Sequence, residues 1–225
     1  MSVIAGSPRR FGRHVEHDER SRAYGLAMSP RTRPHSVLWE SSAPVWDQGE
    51  LGSCTGHALV AVINTMRSHA GRTDWLTAAD AEAIYSAATE VDDFEGSWPP
   101  ADTGSSGLAA CKAGVARGLL TSYRHAFGLN QLLIALHGGP VSVGTVWFDG
   151  MNEPDAQGFL HARGDELGGH QYAVVGSNIE HGYLTIQNSW SADWADGGRA
   201  RITFTDFAAL LDAEGDITVP FLTKE

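Results

Sequence analysis

The chain has 225 residues, enough to bury a sizeable core as one large domain or as two lobes sharing a cleft, and its 42% hydrophobic and 19% charged content is ordinary for a globular protein. The first 36 residues hold seven arginines against Glu16, Asp18 and Glu19; the remainder holds nine basic and 24 acidic residues, so a basic arm precedes a body of charge −15 that should repel nucleic acid and anionic membranes. No run of 18 apolar residues marks a membrane span, the N-terminus lacks an apolar signal core, and two cysteines make no disulfide framework, which together point to a reducing, cytoplasmic setting.

Residues 1–40 carry little periodicity and several Pro and Arg, and read as a coil lying over the surface. Pro44 to Gly49 is an extended approach ending in a turn. Leu59, Val62, Ile63 and Met66 recur at helical spacing and predict a helix from Cys54 to His69, with Ser53 as its cap and Gly71 as its stop. Thr77 caps a second helix to about Thr89, striped by Ala81, Ile84, Tyr85 and Ala88. Asp92 to Gly107 reads as a long loop, Leu108 to Arg117 as a third helix and Leu129 to Leu136 as a short fourth. After Gly138-Gly139-Pro140 the pattern turns to period two. Strands are predicted over 141–148, 171–177, 183–188, 199–204 and 217–219, with a helical turn over 205–211. Helices first and strands second is the α+β signature. The division is a basic arm (1–43), a helical lobe (44–138) and a β-rich lobe (139–225).

Cys54 begins the first helix, where the positive end of the helix dipole favours a thiolate. His170 follows Gly168-Gly169, and Asn188 opens the run Asn188-Ser189-Trp190. A cysteine, a histidine and an asparagine in that order are the parts of a thiol nucleophile, its base and the base's orienter. A protonated His170 would pair with the thiolate and later give its proton to a leaving amine. Asn188 would hold the other ring N–H. Gln48, six residues before Cys54, and the Cys54 backbone N–H could donate to a developing oxyanion. Trp190 is placed to shield the Asn188–His170 bond.

These residues resemble the papain-like cysteine peptidases. Gln48 to Cys54 is similar to the nucleophile motif, Gly169-His170 with Ala173 to Gly176 to the histidine strand, and Asn188-Ser189-Trp190 through Ile202 to the asparagine block. Cys54 and Asn188 are 134 residues apart, within the roughly 130–150 expected; Cys54 and His170, 116 apart, fall a little short. The likeness covers about residues 44–205. Leu51 stands where secreted members have a disulfide cysteine, Thr55 replaces the usual aromatic, and Ser191 and Ala195 replace glycines. The missing disulfides resemble bacterial or phage-borne branches.

The resemblance implies a two-lobed papain-like α+β fold. It implies hydrolysis of peptide or isopeptide bonds through an acyl-thioester on Cys54, on a protein or peptide substrate, with no cofactor, metal, nucleic acid or membrane involved. A thiol acyltransferase or transpeptidase of the same fold, or a non-catalytic binding or structural protein, are the alternatives. The segment Gly104 to Gly107 would pair with the substrate backbone. Gly144 and Gln171 would line a roomy, partly polar S2 pocket, and Gly169 and Trp190 would border the cleft beside them. The arm is too short for the family's long inhibitory propeptide. The enzyme is expected to be made active, with a short cleft-blocking role for the arm as the alternative. Cys111 reads as a buried small hydrophobe on the third helix, and Trp46, Trp75, Trp98 and Trp147 as core or cleft packing.

Overall fold

The computed structural model describes residues 10–27, 29 and 31–223. Five α-helices are described: α1 (Cys54–His69), α2 (Ala78–Thr89), α3 (Gly107–Ala116), α4 (Leu129–Ala135) and α5 (Phe204–Asp212). The strands are β1 (Val37–Leu38), β2 (Leu120–His125), β3 (Val141–Phe148), β4 (Phe159–Leu160), β5 (Glu166–Asn178), β6 (Tyr183–Gln187), β7 (Arg199–Thr203) and β8 (Asp216–Leu222). They form one sheet in the order β2-β8-β3-β5-β6-β7-β4, antiparallel except for the β4–β7 pair, with β1 added on β5. Among the described residues no helix is long and apolar enough to cross a membrane.

The helix boundaries follow local chemistry. Thr77 and Asp80 close a capping box at the start of α2, each side chain satisfying a backbone N–H that the helix cannot. Ser53 precedes α1 as expected but makes no capping bond; its Oγ is engaged by His57 Nδ1 at 3.1 Å instead. Gly56 lets α1 and α2 approach, because a Cβ there would stand 2.1 Å from the Ala81 carbonyl oxygen.

The period-two pattern of β3 and β5 sets the two faces of the sheet. Val141, Val143, Trp147, Tyr172 and Val174 point into the larger core cluster, with Leu132, Leu136, Phe207 and Leu210 from α4 and α5. Ala173 and Val175 point the other way, onto Val62 of α1. A second cluster joins Leu59 and Ile63 of α1 to Ile84, Ala88, Ala110 and Cys111 of α2 and α3. The stretch read as helical up to residue 138 therefore contains one strand, β2, which pairs with β8. β5 is also longer than predicted, because it continues through Gly168 and Gly169 along β3.

Candidate active site

Three segments meet where α1 begins. The chain entering α1 pairs with the asparagine block: Gln48 N–H donates to the Ser189 carbonyl at 3.0 Å, and Asp47 bridges to Trp190. His170 lies on β5 opposite Thr145 of β3. His170 is hydrogen-bonded to Asn188, Gln48 is tied to Ser189 next to Asn188, and Cys54 takes a backbone hydrogen bond from Gln171 next to His170; Cys54 and His170 are both 0% exposed.

His170 Nε2 lies 2.8 Å from Asn188 Oδ1. An amide oxygen only accepts, so Nε2 carries the proton. Trp147 stands edge-on to the imidazole, with ring centroids 4.9 Å apart, and Trp190 is tilted against it at 5.3 Å. Water is thereby kept from the Asn188–His170 bond. Ser189 Oγ donates to Gln48 Oε1 at 2.6 Å and Gln48 Nε2 donates to the Leu51 carbonyl at 2.9 Å, which together fix the amide. The sequence alone marks no role for Ser189, because its partner Gln48 lies 141 residues away.

Residues 10–16 of the arm run through the cleft rather than over the surface. Gln48 Nε2 donates to the Arg10 carbonyl at 3.1 Å. Phe11 packs edge-on against His170, centroids 5.7 Å apart. Gly12 crosses Gly52 so closely that a Cβ would stand 1.9 Å from the Gly52 carbonyl oxygen. Arg13 N–H donates to the Gly169 carbonyl at 2.9 Å. Ser105 N–H donates to the Gly12 carbonyl at 2.7 Å, and the Ser105 carbonyl accepts from His14 N–H at 2.8 Å. Glu16 accepts from Ser106 Oγ, the cap of α3. For residues 10–16 the expectation of a coil lying over the surface does not hold in this structure.

The residues predicted to touch substrate surround this segment. Gly169 and Ser105 supply its backbone partners, with Ser105 standing between the predicted Gly104 and Gly107. Gly104 lies under Gly12 and the His14 ring. Gly107, Gly144 and Gln171 wall the pocket that receives Arg13. Trp190 borders Phe11 at 6.2 Å. Sequence reasoning missed Asp216, on the floor of that pocket. Arg13 Nη2 meets Asp216 Oδ2 at 2.5 Å, and the two side chains are 2% and 18% exposed. This pair anchors the segment more firmly than Arg10 with Asp102, where Arg10 is 59% exposed and the pair is worth about 0–1 kcal/mol.

Burial of Cys54 works against the pre-ionised thiolate that its helix position suggests. Burial pushes its pKa up to about 11, outweighing backbone hydrogen bonds from Gln171, Gly12 and Thr55 and the Arg13 charge, which all pull it down. Cys111 is buried in the helical cluster, and burial raises its thiol to about 12. His57, a second buried imidazole one turn into α1, keeps its Nδ1 on Ser53 and is held below its usual pKa by desolvation. Among the described residues no group of three or more His, Cys, Asp or Glu is arranged to hold a metal ion.

No protein-family model matches the sequence. Over 66 residues the chain is 30% identical to cathepsin B-like cysteine proteinase 4 of Caenorhabditis elegans; the stretch is 28% of this chain and 20% of that protein, so it spans a fifth of the relative's length. The whole chain superposes on the whole of xylellain, a cysteine protease from Xylella fastidiosa, with a TM-score of 0.77 at 16% identity. It also superposes on procathepsin B S9 from Trypanosoma congolense with a TM-score of 0.69 at 15% identity, over 95% of this chain and 87% of that one. The chain has the fold of the papain-like cysteine proteases.

Proposed function

We propose that the chain is a cysteine peptidase whose cleft is held shut by its own arm. The observation that carries this reading is a main-chain carbonyl, that of Arg10, held by Gln48 Nε2 at 3.1 Å beside the buried Cys54 and His170. A peptide carbonyl thus already sits on a donor placed to receive an oxyanion.

In the open cleft, Cys54 gives its proton to His170. With Nε2 committed to Asn188, Nδ1 is the nitrogen that takes it. The thiolate attacks the substrate carbonyl carbon, and the oxygen's developing charge is met by Gln48 Nε2 and the Cys54 N–H. His170 then protonates the leaving amine, and water attacks the thioester with His170 as base. The substrate is a peptide chain, because backbone partners at Ser105 and Gly169 line the cleft where Gly12 to His14 now pair. Two free cysteines and a thiol-based reaction suit a reducing, cytoplasmic setting.

The test uses the full chain carrying Gly12→Val. A valine Cβ would collide with the Gly52 carbonyl, so the arm cannot seat. This variant should cleave peptide amides at least tenfold faster than the unaltered chain, giving products whose masses sum to substrate plus water. Adding Cys54→Ala should silence it. Cleavage that survives Cys54→Ala, or no cleavage by Gly12→Val, would overturn the reading. Amine-condensed products would assign acyl transfer in its place.

A further inference from the structure

His57 Nε2 and Asn188 Nδ2 are both buried without a hydrogen-bond partner, and both residues line one cavity of about 10 Å³. The two side chains belong to residues 4% and 2% exposed, so bulk water reaches neither. Other polar side chains in the cavity wall are already engaged. Asn64 binds the Leu76 backbone through Oδ1 at 2.9 Å and through Nδ2 at 2.8 Å, and the Ser189 hydroxyl donates to Gln48.

The two unpartnered atoms are complementary. His57 Nδ1 lies 3.1 Å from the Ser53 carbonyl and 3.1 Å from Ser53 Oγ. A carbonyl only accepts, so Nδ1 carries the proton and Nε2 offers a lone pair. Desolvation holds the His57 pKa below its usual value, which keeps the ring neutral at pH 7. Asn188 is fixed from its other end. Ser189 N–H donates to Asn188 Oδ1 at 2.8 Å, and a backbone N–H can only donate. The oxygen is therefore the atom shared with His170, and Nδ2 is the donor left over. A donor and an acceptor thus border a space with room for no more than one water.

Resting on the peptidase reading above, we propose that His57 is a positioning residue: its Nε2 accepts from Asn188 Nδ2 across this cavity and holds the amide with Oδ1 toward His170. His57 lies one turn into α1 and is tied to Ser53 at the start of that helix. The first turn of α1 then carries both the nucleophile and the support for the residue that orients its base, on one rigid element. Without His57, Asn188 Nδ2 is a buried donor left unpaired, and the amide relieves this by shifting toward another acceptor, which loosens His170.

The experiment measures kcat and KM for peptide cleavage by the full chain carrying Gly12→Val, with His57→Phe, His57→Leu or His57→Gln, each with and without Asn188→Ala. Glutamine keeps an acceptor; the two apolar residues do not. Leucine is smaller than histidine and phenylalanine larger, so failure of one to fold leaves the other. Either apolar change should lower kcat at least tenfold with KM within twofold, and His57→Gln should hold kcat within threefold of the parent. With Asn188→Ala present, the same changes should move kcat less than twofold, because the group that His57 supports is gone. Exchange of the His170 Nε2 proton with solvent, read by NMR on the full chain with its arm unaltered, should quicken at least tenfold on either apolar change. A folded apolar variant with kcat within twofold of the parent or with unchanged proton exchange overturns the proposal, as does an equal loss of kcat with and without Asn188; each leaves the peptidase reading standing. No turnover by the Gly12→Val parent overturns the peptidase reading, and the proton exchange alone then decides this proposal.

Discussion

Ser189 and Leu51 together orient the Gln48 amide proposed as the oxyanion donor. The Ser189 hydroxyl holds Gln48 Oε1 at 2.6 Å, while Nε2 donates to the Arg10 and Leu51 carbonyls. In the opened enzyme, Gln48→Ala should lower kcat about 10²- to 10³-fold, the usual effect of losing one oxyanion donor. Ser189→Ala removes only the restraint, so about tenfold in kcat with KM within twofold is expected; an unchanged kcat would show that the amide holds its orientation unaided. The four candidate catalytic residues were legible because each has a distinctive type at a distinctive spacing. Ser189 was visible but had no assignable role until Gln48 was seen beside it. Asp216 was hidden, because it reaches the cleft only through the pairing of β8 with β3, and no local pattern marks it.

At the scale of elements, the loop from β6 to β7 carries Asn188 and is shaped by left-handed turns. Ser191 and Ala195, noted in the sequence as replacing glycines, have φ of 63° and 52°. The backbone therefore keeps a glycine-like course with side chains that resist it, at a cost of about 1 kcal/mol per residue. Ala195→Gly is expected to raise stability by that amount, a Tm increase of about 2–4 °C for a chain of this size. A fall in Tm would show that packing by the Ala195 methyl outweighs the backbone strain. The main helices and strands were readable because apolar spacing and caps such as Thr77 agree with their tertiary surroundings. β2 was missed because its burial does not alternate: only its two end residues are buried. The arm was read as coil because an extended segment paired with a cleft has no period of its own. Its partners, Ser105 and Gly169, lie far along the chain.

The whole molecule sets a basic arm against an acidic body, and the structure shows where the two meet. Arg10 pairs with Asp102 and Arg13 with Asp216. The helix-dipole argument for a reactive thiolate holds for a solvated cleft. In this structure Cys54 is buried, and burial pushes its pKa up to about 11, although Gly12 and Arg13 of the arm pull it down. A raised thiol pKa leaves the neutral form dominant at pH 7, with thiolate appearing only as pH climbs. Opening the cleft restores water around Cys54, so the pKa should fall. The most direct measurement is therefore the rate of Cys54 alkylation against pH, read by intact mass in the full chain and in its Gly12→Val variant, with Cys54→Ala as control. The account predicts a full chain almost inert at pH 7 whose labelling rises steeply in alkali, and a Gly12→Val chain labelled rapidly at pH 7. Equal, rapid labelling of both chains at neutral pH would contradict it.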